Sequence, residues 1–223
     1  MEPHRFAGMA GIAWVFITAI GIGLFAAAGP PPPFAEASSY ANLTTASAKF
    51  FLLDAFTAGV SAALLLAFFA GLGAVFRQLD AEHLLLNTLI RGYGAASAIM
   101  LAMVGVFETV TVYVSETSAY SALTAPIWML TQTATTFLYF FGVGATAALA
   151  AAIFNTNALP RWAGRLCMFA AVLLALGSLF TLGGTGQMGP LGLAMVLVGF
   201  LPAAITFLVL SVLLLRSSGY QNP

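Results

Sequence analysis

Charge is the scarcest commodity in this chain. Seven Lys or Arg and seven Asp or Glu make up 6% of 223 residues, against 61% hydrophobic residues. So few charges cannot clothe the surface of a soluble protein of this size, and the balanced signs leave no positive field to hold nucleic acid. Cysteine occurs once, as Cys167, which excludes an internal disulfide, a CxxC redox pair and a structural zinc site. The two histidines, His4 and His83, both fall outside the apolar runs, so paired-histidine haem ligation within a bilayer has no ligands. The one lysine, Lys49, stands at the edge of a run, leaving none in mid-membrane to hold retinal. HExxH, a paired-aspartate motif for prenyl diphosphate and a membrane-embedded Ser–His dyad are also missing. No cofactor, metal or catalytic set is expected.

What the chain does have is apolar length. Runs of about 20 residues, enough to cross a hydrocarbon core of roughly 30 Å as helix, occur at 7–28, 50–75, 88–112, 125–154, 162–182 and 190–215. The runs are continuous rather than alternating, which excludes a β-barrel. The expected fold is all-α: one polytopic transmembrane helix bundle of about six spans. With an even number of spans both termini share a side, and that side carries Arg5, Arg77, Arg91, Arg161, Arg165 and Arg216 against Lys49 alone opposite. Arginine retained on the inner face puts both termini in the cytoplasm. The first run begins with His4 and Arg5 but ends at Gly29 and four prolines without a small-residue cleavage site, so it reads as retained helix rather than signal peptide. An Ala/Gly-rich, nearly lysine-free composition points to a multi-pass protein of the bacterial cytoplasmic membrane.

The long outer connection, 29–49, starts with prolines 30–33 and continues through Glu36, Ser38, Ser39, Asn42, Thr44 and Thr45. It reads as a stiff polyproline start and a polar run, suited to a lid or docking surface. Asn42-Leu43-Thr44 is formally a glycosylation acceptor, of little weight in such a composition. On the inner side, 76–87 sets Arg77, Asp80, Glu82 and His83 beside the run Leu84-Leu85-Leu86, as an amphipathic interfacial turn would. The glycine-rich stretch 183–189 lacks the Lys and Ser/Thr ending of a phosphate loop and reads as a short outer loop. Pro202 predicts a kink in the last run.

Three inner-face helix starts echo one another: Arg5-Phe6-Ala7-Gly8, Arg91-Gly92-Tyr93-Gly94 and Arg161-Trp162-Ala163-Gly164. Either they mark three parallel hairpin repeats, or they are ordinary anchors, with Arg for the inner face, an aromatic for the interface and Gly for close helix approach. The first of them and the fifth-run entry Leu159-Pro160-Arg161-Trp162-Ala163-Gly164, set in a six-span layout, resemble a bacterial family of small membrane proteins classed as a domain of unknown function. That resemblance implies a fold and a location. It leaves the proline run aside and transfers no site residue.

Ionisable groups are costly in hydrocarbon, so Asp54 and Glu108 are where function is sought. Each lies about four residues, roughly 6 Å, inside the outer end of its run, so they could face each other at one depth. Asp54, Thr57 and Ser61 share a helical face, as do Gly94, Ser97, Gly105, Glu108 and Thr111, and Gln132, Thr136 and Tyr139. These stripes could line one outer vestibule in which two neighbouring carboxylates share a proton or a cation. Helix packing, snorkelling to water, or an Asp54–Lys49 pair would explain the same residues without function. The candidate polar site is thus Asp54, Glu108, Gln132, Thr111 and Thr136.

Three roles remain. The absence of a catalytic constellation and the short loops favour a non-catalytic accessory or interaction subunit, surrounded by lipid and packed on other membrane proteins or copies of itself. The alternative is a small carrier or channel-like protein whose acidic vestibule admits a proton-coupled or cationic substrate. A lipid- or isoprenoid-modifying enzyme would need Glu108 or Asp54 as its acid or base.

Overall fold

A computed structural model of the protein describes residues 2–29, 37–79, 84–117, 119–156, 158–179 and 193–216. These residues are helical almost throughout. Among the described residues, six helices are long and apolar enough to cross a membrane. In chain order they are α1 (Pro3–Ala28), α3 (Ala48–Leu79), α4 (Leu84–Glu116), α5 (Thr124–Thr156), α6 (Arg161–Ser178) and a last span made of α7 (Leu193–Met195), the turn Val196–Phe200 and α8 (Leu201–Arg216). A short helix, α2 (Ala37–Ala46), precedes α3. The protein is therefore a multi-pass membrane helix bundle in contact with lipid.

The six apolar runs all reappear, with longer helices in the middle of the chain. α3, α4 and α5 have 32 or 33 residues, about 48 Å of helix where roughly 30 Å of hydrocarbon needs crossing, so their ends stand in the interface or the helices tilt. α1 opens with Pro3, where a missing N–H costs nothing. It ends at Gly29, whose φ of 102° lies in the left-handed region that glycine adopts without strain.

Two expectations are revised. The polar run after the prolines is α2, a helix packed on α4 and α5, with Thr44 buried and Asn42 exposed. Ser47 beyond it donates a 2.9 Å hydrogen bond to the carbonyl of Ala28, tying the start of α3 to the end of α1. The disturbance expected at Pro202 takes the form of a π-helical turn just before it, in which the N–H of Leu201 donates to the carbonyl of Val196, five residues back. Proline has no N–H to offer the preceding turn, and the wider turn absorbs the misfit. Prolines 30–33 with Glu36, the acidic and histidine residues 80–83, the loop 183–189 and the expected span ends at 180–182 and 190–192 lie outside the described residues.

The spans form a ring. α1 packs on α3, α3 on α4, α4 on α5, α5 on α6, α6 on α8, and α8 closes the circuit on α1. Within a bilayer such contacts rest on close van der Waals fit, which small residues permit. At the closing contact a Cβ on Gly8 would meet the carbonyl oxygen of Ser211 at 2.8 Å, so α1 and α8 touch nearly backbone to backbone. The three echoed helix starts have one arrangement in common: Phe6, Tyr93 and Trp162 are exposed, while Gly8, Gly94 and Gly164 are buried against neighbouring helices. That is the pattern of an interfacial aromatic anchor with a packing face behind it.

Aromatic side chains fill the ring in two layers. Phe25, Phe51 and Trp128 meet at the end of the ring that carries α2, Phe25 stacked on Trp128 at 6.1 Å and Phe51 edge-on to Trp128 at 5.6 Å. Deeper in, Phe207 gathers Trp14 at 5.3 Å, Phe68 at 5.2 Å and Phe69 at 5.5 Å. The space between these layers is where the intramembrane carboxylates lie.

Candidate functional site

A cavity of about 120 Å³ occupies the ring between the two aromatic layers, with walls from α1, α3, α4, α5 and the π-helical turn. Asp54 and Glu108 both line it. Asp54 lies six residues, about 9 Å, from the start of α3, and Glu108 eight residues, about 12 Å, before the end of α4. Because the two helices run in opposite directions, these offsets bring the two side chains to similar depth on the wall of one cavity.

Glu108 is 1% exposed, and its Oε2 is buried without a hydrogen-bond partner. A carboxylate so placed has not snorkelled to water. Asp54 is partly buried. Thr57, one turn on, donates a 2.8 Å hydrogen bond to the backbone carbonyl of Asp54 and stands 3.4 Å from its Oδ1. Lys49 makes no ion pair with Asp54 among the described residues. Snorkelling therefore does not account for Glu108, and an ion pair with Lys49 does not account for Asp54.

Two glycines hold the helices close around the pair. Gly21 brings α1 against Asp54 and Thr57, and at Gly105, one turn before Glu108, a Cβ would stand 2.7 Å from the carbonyl oxygen of Ala55 on α3. Farther in, Thr18 of α1 donates a 3.0 Å hydrogen bond to Ser61 Oγ on α3, and both residues line the cavity. α5 adds Thr135 and Tyr139; the hydroxyl of Thr135 is bonded to the carbonyl of Thr131 in its own helix.

No protein-family model, curated protein or solved structure matches the chain. The resemblance drawn from the helix openings thus reaches no further than the six-span layout. The site is argued from its own geometry.

Of the five sequence candidates, the fold brings Asp54 and Glu108 together on the cavity and leaves Thr111, Gln132 and Thr136 off its described lining. Thr111 and Gln132 are buried elsewhere, and the hydroxyls of Thr111 and Thr136 return to the carbonyls of Phe107 and Gln132. The stripe Asp54, Thr57, Ser61 lines the cavity as one face. Sequence reasoning missed Thr18, Gly21 and Thr135. Thr18 is a lone polar residue in an apolar helix, without a helical stripe to single it out.

Below this space lies a second, apolar cavity of about 70 Å³, walled by Trp14, Leu65, Phe69, Leu174 and Phe207 among others. Thr18, Leu101, Leu138, Tyr139 and Phe200 border both cavities. Phe200, the last residue of the π-helical turn, also lies 5.9 Å from Trp14. The interior thus passes from an acidic compartment on the side of α2, roomy enough for several waters or a small cation, to an apolar one beyond it, with Phe200 and Tyr139 at the junction.

Proposed function

We propose that the protein is a small membrane carrier that binds a monovalent cation, or a compact protonated solute, at Asp54 and Glu108. The observation that carries this reading is that two carboxylates from antiparallel helices line one cavity inside the ring, one of them fully buried and without a hydrogen-bond partner. An unpaired acid in the bilayer is costly and is offset when a proton or cation occupies the site. Thr57, Thr18, Ser61 and Tyr139 would supply neutral oxygen around the bound species. The apolar inner compartment separates the site from the opposite face, as alternating access requires.

The accessory-subunit reading rested on the lack of a catalytic constellation, the short loops and the apolar helix surfaces. An acidic compartment of the chain's own gives a role that needs no partner, and the carrier reading takes precedence. The arginines at the inner ends of the spans support cytoplasmic termini and the outer aromatic layer as the external side, in the cytoplasmic membrane of a bacterium.

The test is transport into vesicles reconstituted with the purified chain, followed with a pH-sensitive dye and with radiolabelled monovalent cations. Asp54→Asn and Glu108→Gln should each lower uptake by roughly 10- to 100-fold, the effect of losing one charged contact. Uptake that survives both substitutions together would sink the proposal.

A further inference from the structure

On the lipid-facing side of α3 and α4, toward their arginine-bearing ends, a groove of about 440 Å³ is bounded by Leu66, Ala70 and Arg77 of α3 and by Asn87, Arg91 and Ala95 of α4. It is separate from the interior cavities. Arg91 reaches across it: a Cβ on Gly73 of α3 would stand 2.6 Å from Arg91 Cδ. Since Gly73 and Arg77 are one turn apart on the same helix face, both guanidinium groups belong to one end of the groove. Neither makes an ion pair or hydrogen bond among the described residues, and no carboxylate is among the described lining residues. Asn87 lies at the floor, 6% exposed, with its Oδ1 buried and unpartnered.

Away from the arginines the groove changes character. From Arg77 back to Leu66 is eleven residues, about 16 Å of helix, or half of a hydrocarbon core of roughly 30 Å. Along that length the walls are Ala70, Ala95 and Leu66, with open space beside Gly92, where a Cβ would meet no atom within 4 Å. A soluble anion would use the arginines and leave this track empty. A phospholipid would use both.

We propose that the groove holds an anionic glycerophospholipid, its phosphate between Arg77 and Arg91 and one acyl chain along Ala70, Ala95 and Leu66. Basic pockets between membrane helices recognise such headgroups. Phosphatidylglycerol, whose charge is that of its phosphate alone, is the fitting probe.

Native mass spectrometry of the full chain in mild detergent tests this with phosphatidylglycerol, phosphatidylcholine and soluble glycerol phosphate. The wild-type chain should retain phosphatidylglycerol over phosphatidylcholine. Arg77→Gln and Arg91→Gln should each weaken that retention about fivefold, and together about 30-fold, as expected at about 1 kcal/mol per basic residue near the membrane surface. Gly92→Leu, which fills the open track and leaves both charges in place, should weaken it as well, and continued protection of Cys167 from maleimide would show that each variant is folded. Equal retention of the two lipids, or unchanged retention by the double variant, would overturn the proposal. So would glycerol phosphate competing as well as the lipid, because the acyl track would then contribute nothing.

Discussion

Asp54 Oδ1 lies against the backbone of Gly21: a Cβ on residue 21 would stand 2.7 Å from that oxygen and 2.6 Å from Thr57 Oγ1. The carboxylate that lines the cavity from α3 is thus seated against α1, and the absence of a side chain there makes the room. Gly21→Ala should push α1 away from Asp54 at a cost of about 1–3 kcal/mol, typical of overpacking. Vesicle uptake should fall at least as far as in Asp54→Asn. Uptake equal to wild type, in a chain of unchanged thermal stability, would show that the contact is slack.

Glu108 makes the opposite prediction for stability. Its Oε2 is buried without a partner, and an apolar side chain of similar length removes that burden. Glu108→Met should stabilise the chain by about 1–3 kcal/mol while abolishing uptake, the trade-off expected of a group kept for function. The free thiol makes this measurable: Cys167 is the only cysteine and is 0% exposed, so its reaction with a fluorescent maleimide on heating reports loss of the α5–α6 packing. An earlier transition in Glu108→Met would count against the argument.

Phe200 stands between the two compartments. Phe200→Ala should join them. The expected result is a faster, less selective flux of small cations through reconstituted vesicles, with stability lowered by about 3 kcal/mol or somewhat less, since the ring is only partly buried. Flux unchanged in rate and selectivity would remove Phe200 from the path.

The orientation is tested in a Cys167→Ala background with single cysteines at exposed helix ends. Thr117→Cys, beyond the outer end of α4, should react with a membrane-impermeant maleimide on intact cells. Asn155→Cys, at the arginine-bearing end of α5, should react only after permeabilisation. The reverse pattern would invert the assignment.

Much of the fold was legible because a bilayer imposes a length, and six runs of that length leave few alternatives. The ends were less so: α3, α4 and α5 continue past the apolar runs because helix formation does not stop where hydrophobicity does. α2 is too polar to register as a span and is read as helix only once its packing on α4 and α5 is known. At the site, the i, i+3, i+7 spacing of Asp54, Thr57 and Ser61 identified the cavity face of α3 from the sequence. On α5 the same reasoning placed Tyr139 correctly on the cavity but took Gln132 and Thr136 with it. Residues 131–136 hold four threonines and a glutamine, so polar groups point almost all round the helix, and packing alone decides that Thr135 joins Tyr139 on the cavity while Gln132 and Thr136 do not. The contribution of α1 was hidden, since Thr18 and Gly21 matter only once α1 and α3 are side by side.

The ring has its seam between the first and last spans, where Gly8 meets Ser211. During synthesis the acidic compartment therefore has no finished wall until the sixth span has left the translocon, and with five spans inserted the interior has still to be closed. Chains that stall before residue 193 would carry an unfinished interior in the bilayer, a natural signal for membrane quality-control proteases.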